Sequence, residues 1–255
     1  MTDRDTVVYV YGVVPASERP PAGLAGVGRE GNPVRHVAAP KVAAIVSDVS
    51  RAPLGRGQDI RAHWRVLDDA VTRSAVLPLR FGTVMESDAA VRDDFLAPNE
   101  DRLTAQLAGL EGKVQLSVRG SYREEALLRD VVQSAPSVQR MRERTQKLPQ
   151  EAAYYDMIRL GELVAAEIDR CREHDTGLVV ERLAPLAVAS HRDAHTTKES
   201  GVNVAFLVER SRVDAFAAAV QGLHAEFGDR IRLRCVGPLP PYSFADQIVG
   251  EAAWA

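Results

Sequence analysis

Residues 113–120, KVQLSVRG, place Val114, Leu116 and Val118 on one side of an extended chain and Gln115, Ser117 and Arg119 on the other. That period of two predicts a strand buried on one face. IRLRCVG (231–237) repeats it, with Ile231, Leu233 and Cys235 inward and Arg232 and Arg234 outward. Between them, APLAVAS (184–190) and VNVAFLVE (202–209) read as two strands joined by the polar loop HRDAHTTKESG. A helical spacing runs through Tyr154, Ile158, Val164, Ile168 and Cys171, and another through Val213, Phe216, Val220, Leu223 and Phe227. A charged helical stretch over about 123–148 is interrupted at Pro136. The order β-α-β-β-α-β, with helices inserted after the first strand, predicts a modified ferredoxin-like domain over 112–238.

The first half is patterned differently. TVVYVYGVV (6–14) is a continuous run of β-branched and aromatic residues, and KVAAIVSDV (41–49) is a second strand-like run. Ile60, Trp64, Leu67 and Val71 share one face of a helix between Gln58 and Ser74. VLPLRFGTV (76–84) predicts a third strand, with Pro78 at an edge or a strand start. Two helices follow over about 88–96 and 99–111, with a break at Pro98–Asn99 and Asn99 as N-cap. The expected class is α+β in two domains, an N-terminal α+β domain (1–111) and the ferredoxin-like domain, with a C-terminal tail (239–255) docking on them.

Composition removes several functions. The 255 residues are 45% hydrophobic and 26% charged with a net charge of -3, which leaves no clustered basic excess for nucleic acid. Cys171 and Cys235 make neither a disulfide framework nor a metal knuckle. No basic-then-apolar leader opens the chain, and no apolar run approaches the roughly 18 residues of a membrane span. The expectation is a soluble, cytoplasmic protein.

Motifs with chemistry are few. HRDAH sets His191 and His195 four residues apart, but at a strand–loop junction with no further Cys/His cluster near it, so it reads as a solvated loop. Cys171 and His174 form C-x-x-H at a helix end, where a core-facing thiol and a histidine near the C-terminus account for both. GLAGVG (23–28) opens no helix, and its glycines read as turn residues. His63 could serve as a general base, but a satisfied, partly buried histidine is the preferred reading.

Arg80 stands in the middle of VLPLRFGTV. A strand buried on both sides would require its guanidinium to be paired, with Asp48, Asp68, Asp69 and Glu86 as candidate acceptors, or else to meet a ligand anion. VGPLPPYSFAD (236–246) ends the last strand in three prolines that force an extended path. Tyr242 and Phe244 then point to opposite sides of a tail that docks through its aromatics.

These segments carry a resemblance. VLPLRFGTV, AHWRVLDDAV (62–71), NVAFLVER (203–210) and GPLPPYSF (237–244), with YVYGVV (9–14) and GKVQLSVRG (112–120), resemble in order and spacing the GvpL/GvpF family of gas vesicle proteins over about residues 8–246. The chain departs from that pattern at Leu239, where tryptophan usually precedes the two prolines, and at APKVAAIVS (39–47), where a glycine-containing turn more often precedes the strand. The resemblance implies an accessory protein of gas vesicle formation and not an enzyme, with no catalytic, cofactor-binding or metal residues. Its implied partners are the small hydrophobic shell subunit and other accessory proteins, whose nucleation and assembly into vesicles it would assist. The signature residues Arg80, Phe81, Gly82, Asn203, Gly237, Pro238, Pro240, Pro241, Tyr242 and Phe244 would then have structural or interface roles. A small-molecule-binding or enzymatic ferredoxin-like protein is the rival expectation.

Overall fold

The computed structural model describes residues 6–19, 23–28, 31–51, 55, 57–149, 153–193 and 200–245 of a mixed helix-and-sheet chain. It divides into two compact units, Met1–Gln115 with Gly237–Ala255, and Leu116–Val236.

In the first unit β1 (Thr6–Pro15) is the central strand, flanked by β3 (Val42–Ser50) and by two short segments, β4 (Leu77–Pro78) and β5 (Val84–Met85). A strand unmarked by its sequence, β2 (Arg35–Ala38), pairs antiparallel with the outer edge of β3. The unbroken apolar run of β1 reflects burial on both faces. Tyr9 and Tyr11 join the core beneath α1 (Gly57–Arg73), and α2 (Ala97–Leu110) packs against β1, β3 and β4. The α1 face differs from the expected one. Ala62, His63, Val66, Leu67, Ala70 and Val71 are buried, whereas Ile60 and Trp64 lie outside.

The run 76–84 is not one strand. Its backbone leaves the ladder at Arg80–Gly82, and Gly82 takes φ +94°, a conformation that glycine adopts without steric cost. Thr83 closes the turn with its N–H and its hydroxyl, both donated to the Arg80 carbonyl. Nor do two helices meet at Pro98–Asn99. A π-helical segment, Ala90–Leu96, continues directly into α2, with the Ala97 N–H bonded five residues back to the Arg92 carbonyl. Pro98 therefore lies inside a continuous helix; the wider π-type turn just before it accommodates a residue that has no N–H to give, so the helix runs through it. Asn99 is no N-cap; its side-chain amide donates to the Phe95 carbonyl at 2.7 Å.

In the second unit the strands lie in the order β7-β8-β6-β9, namely β7 (Ala189–Arg192), β8 (Ser200–Glu209), β6 (Lys113–Tyr122) and β9 (Ile231–Leu239). The C-terminal half of α5 (Tyr154–Leu183) and α6 (Val213–Phe227) supply its core, centred on Phe206 and Phe216 at 5.1 Å between rings. Each such ring contributes on the order of 2–3 kcal/mol by leaving water. A second cluster joins Leu127 and Val131 of α3 (Glu124–Ser134) and Val138 of α4 (Pro136–Gln146) to Leu160, Val164, Ile168 and Cys171 of α5.

Three expectations fail here. Residues 184–186 form a 3₁₀ turn containing Pro185, so the edge strand starts at Ala189. Gln115 and Ser117 are buried together with their apolar neighbours, and Gln115 Oε1 accepts the Ser243 N–H at 3.0 Å. Tyr154 and Ile158 are exposed on the long helix, whose inward face begins at Leu160.

The second unit also buries a charge. Asp175 is fully buried on α5 and accepts the Tyr122 hydroxyl at 2.5 Å and the Arg230 guanidinium at 2.8 Å. A carboxylate that deep persists because both oxygens have donors, one of them cationic. Asp175→Asn should therefore cost on the order of 3 kcal/mol by taking the buried anion from Arg230 and leaving it only the longer pair with Asp130 at 3.7 Å. Urea unfolding would read this directly, and an unchanged midpoint would contradict it.

Candidate functional site

The densest polar arrangement near the signature residues lies in the first unit, where α1 crosses β1. Tyr9 and Tyr11 project from β1 toward α1 and bring hydroxyls into an apolar core. Each must find a partner there. The Tyr11 hydroxyl donates to Ser47 Oγ at 3.0 Å and accepts the Val27 N–H at 2.7 Å, and Ser47 passes its own proton to the Pro33 carbonyl. This pins the GLAGVG loop to the sheet. At Gly26 an added Cβ would sit 2.2 Å from the Tyr11 hydroxyl, so that glycine serves close packing and not phosphate binding.

Tyr9 belongs to a longer chain of bonds. Gly82 N–H donates to the Tyr9 hydroxyl at 3.1 Å. Tyr9 lies 2.8 Å from His63 Nδ1, and His63 Nε2 lies 2.7 Å from the Tyr242 hydroxyl. Tyr242 in turn donates to the Leu79 carbonyl at 3.1 Å. Since Tyr242 gives its proton to Leu79, it accepts from His63, which must carry hydrogen on Nε2 and accept from Tyr9 at Nδ1. The chain begins and ends on one loop, Leu79–Gly82.

Burial sets the protonation states. It pulls His63 down to about 4, so the imidazole is neutral, and it raises both the Tyr9 and Tyr242 phenols, which stay protonated donors. Aromatic rings seal the site: Phe81 stands edge-on to His63 at 5.6 Å, Tyr11 stacks on it at 5.7 Å, and Trp64 covers Tyr242 at 5.1 Å. Both ring nitrogens of His63 are committed to tyrosines, which leaves no lone pair to act as a general base. The arrangement holds the tail segment onto the first unit.

The signature residues separate accordingly. Phe81, Gly82 and Tyr242 meet at His63, and Pro240 and Pro241 are buried beside Tyr242 in sequence. The chain does not stay extended beyond them, because Phe244 N–H and Ala245 N–H both turn back to the Pro241 carbonyl. Phe244 is half-buried, Gly237 and Pro238 are exposed, and Asn203, on β8 of the other unit, accepts the Asp193 N–H. Arg80 is exposed, and among the described residues its side chain has no ion-pair partner. Of its expected acceptors, Asp48 binds Arg35 at 2.5 Å, Asp69 binds Arg73 at 2.8 Å, and Glu86 pairs with Arg51. The turn at Gly82 takes Arg80 out of the core, so no burial cost has to be offset. Phe81 and Gly82 also line an open hollow of about 550 Å³ with Val7, Val49, Val84 and Met85.

Other sequence candidates stay apart. Cys171 is half-buried with its thiol pushed up by burial, and His174 is exposed. His191 lies on the exposed edge strand, and His195 lies outside the described residues. Among the described residues no three His, Cys, Asp or Glu side chains converge as a metal-ligand group, and no helix is long and apolar enough to cross a membrane. The network itself could be suspected only from tyrosines in an otherwise apolar strand, since their hydroxyls demand partners that sequence does not name.

The sequence profile of the family described as gas vesicle synthesis protein GvpL/GvpF matches residues 7–246. Gas vesicle protein F of Streptomyces sp. (strain CB03234) is 35% identical over 93% of this chain and 99% of its own. Gas vesicle protein L of the same strain is 29% identical over 94% of this chain and 93% of its own. The crystal structure of the gas vesicle protein GvpF from Anabaena sp. PCC7120 superposes with a TM-score of 0.78 at 24% identity, covering 94% of this chain and 96% of that one.

Two measurements test the hydrogen-bonded chain. Tyr242→Phe strands the His63 Nε2–H and the Leu79 carbonyl, and should lower unfolding free energy by about 1–3 kcal/mol. The histidine also predicts a pH dependence. Its folded pKa of about 4 lies below the ordinary 6.5, so the unfolded chain takes up the proton first as pH falls. Its contribution is complete above about pH 6.5 and is lost on the way down to about 4, a change of about 3 kcal/mol. Urea titrations of wild type and His63→Gln across that window should differ in slope. Equal slopes would remove His63 as the source.

Proposed function

This chain belongs to the gas vesicle synthesis protein GvpL/GvpF family, and from that premise we propose that it is an assembly factor that binds the small hydrophobic shell subunit and assists its nucleation into vesicles. The observation that carries the reading is the family profile, which runs through both units without interruption. The greater identity to the F protein than to the L protein of one strain supports an F-like form. A shell subunit with a large apolar face aggregates before assembly unless that face is covered, and a folded, charged carrier meets that need without catalysis. Other gas vesicle accessory proteins are the remaining partners in this reading, and its place of action is the growing vesicle.

The second unit is read as a modified ferredoxin-like domain, which the strand order β7-β8-β6-β9 supports, with α3 and α4 as its helical insertion. The first unit is the α+β domain to which the tail returns. In this reading Phe81, Gly82, Pro240, Pro241 and Tyr242 are structural, holding the tail in place. Arg80, Gly237, Pro238 and Phe244 are left for contacts with partners, and Asn203 is read as structural within the second unit.

Co-expression with the small shell subunit, affinity capture and mass spectrometry test this. Recovery of the shell subunit at moderate salt is the expected result. Its absence from well-folded bait would overturn direct binding.

A further inference from the structure

The sheet of the second unit ends on β9, and among the described residues no strand pairs with the outer side of β9. The Arg123 N–H donates to the Arg230 carbonyl at 3.0 Å, and a Cβ added at Gly120 would meet Leu233 and Ile231. In an antiparallel ladder that pairing turns the backbone of Arg232 and Arg234 toward β6. The N–H and C=O groups of Ile231, Leu233 and Cys235 then point away from it. His224 Nδ1 lies 3.3 Å from the Ile231 carbonyl and closes the edge at that end. Pro238 has no N–H to offer and closes it at the other. Between them the backbone of Leu233 and Cys235 stays open, a window for a strand of about five residues.

Side chains give that window a sign. Arg232 and Arg234 stand exposed on the sheet face opposite the core residues Ile231 and Leu233, and Arg119 of β6 is exposed on the same face. Among the described residues none of these three arginines has an ion-pair partner. Asp229, the carboxylate nearest in sequence to Arg232, is taken by Arg123 at 3.4 Å. Such charges keep a second copy of the chain from adding at the edge, because antiparallel pairing of β9 with itself would set arginine beside arginine. The same charges admit a strand of opposite sign.

We propose that the outer edge of β9 is a docking site for an extended acidic segment of a partner protein. The segment adds to the sheet as one more strand, bonds the backbone of Leu233 and Cys235, and sets alternate carboxylates beside Arg232 and Arg234. Main-chain bonds supply the attachment, and the arginines select which sequence is accepted. Docking of this kind requires no particular protein as the source of the segment.

The test uses the full chain and two short peptides, one alternating glutamate with valine and one alternating lysine with valine. The glutamate peptide should bind roughly tenfold or more tighter, with affinity falling as salt rises. Its binding should slow hydrogen exchange at the Leu233 and Cys235 amides, which a charge contact away from the edge would not do. Arg232→Glu/Arg234→Glu should invert the preference with thermal unfolding unchanged. Equal binding of the two peptides, or binding without protection of those two amides, would overturn the proposal. So would no binding of the glutamate peptide at millimolar concentration, or concentration-dependent dimers that protect the same amides in its place.

Discussion

A neutral imidazole held between two phenols is the constraint on which the first unit depends. Buried polar groups tolerate no missing partner, since each orphan costs more than a satisfied bond returns. His63 therefore requires Tyr9 on one side and Tyr242 on the other. Tyr9 and Tyr242 in turn require an N–H and a carbonyl, and the Leu79–Gly82 loop supplies both. This explains why that loop leaves the sheet between two short pairings. A continuous strand would have spent those backbone groups on β1. It also explains why the chain returns to the first unit after completing the sheet of the second.

The second unit solves the same problem with charge. Asp175 is buried between a tyrosine and an arginine and ties α5 to β6 and to the turn before β9. Both arrangements are closed, with every strong donor answered within the unit. Neither exposes a nucleophile, a base with a free lone pair or a field aimed at empty space. Reactive sites are usually left incomplete so that substrate completes them. Here the exposed polar groups, Arg80 among them, lie on the surface.

The two-fold and three-to-four-fold periods identified most elements. Strands β1, β3, β8 and β9 and helices α1, α5 and α6 follow from runs whose apolar residues keep step with the backbone. The misreadings have specific causes. Arg80 looked buried because its neighbours are apolar, yet a positive-φ glycine two residues on turned it outward. Pro98 looked like a break because proline usually is one, yet the π-type turn just before it lets the helix pass through a residue without an N–H. Gln115 and Ser117 looked solvent-facing from alternation alone, which cannot register what packs on the second face. Tyr154 and Ile158 kept the helical period but had no core to meet.

The sequence by itself determined the class of the fold, the first strand, the main helices and the family, because these depend on local periodicity and on ordered short motifs. It also marked RFG and PPYSF as linked features without saying how. Only the tertiary structure decided that they meet through His63, that its protonated nitrogen is Nε2, and that Arg80 stands in water. Those outcomes depend on hydrogen bonds between residues 54 and 179 positions apart. Such partners are chosen by the geometry of a closed core, and no window along the chain contains it.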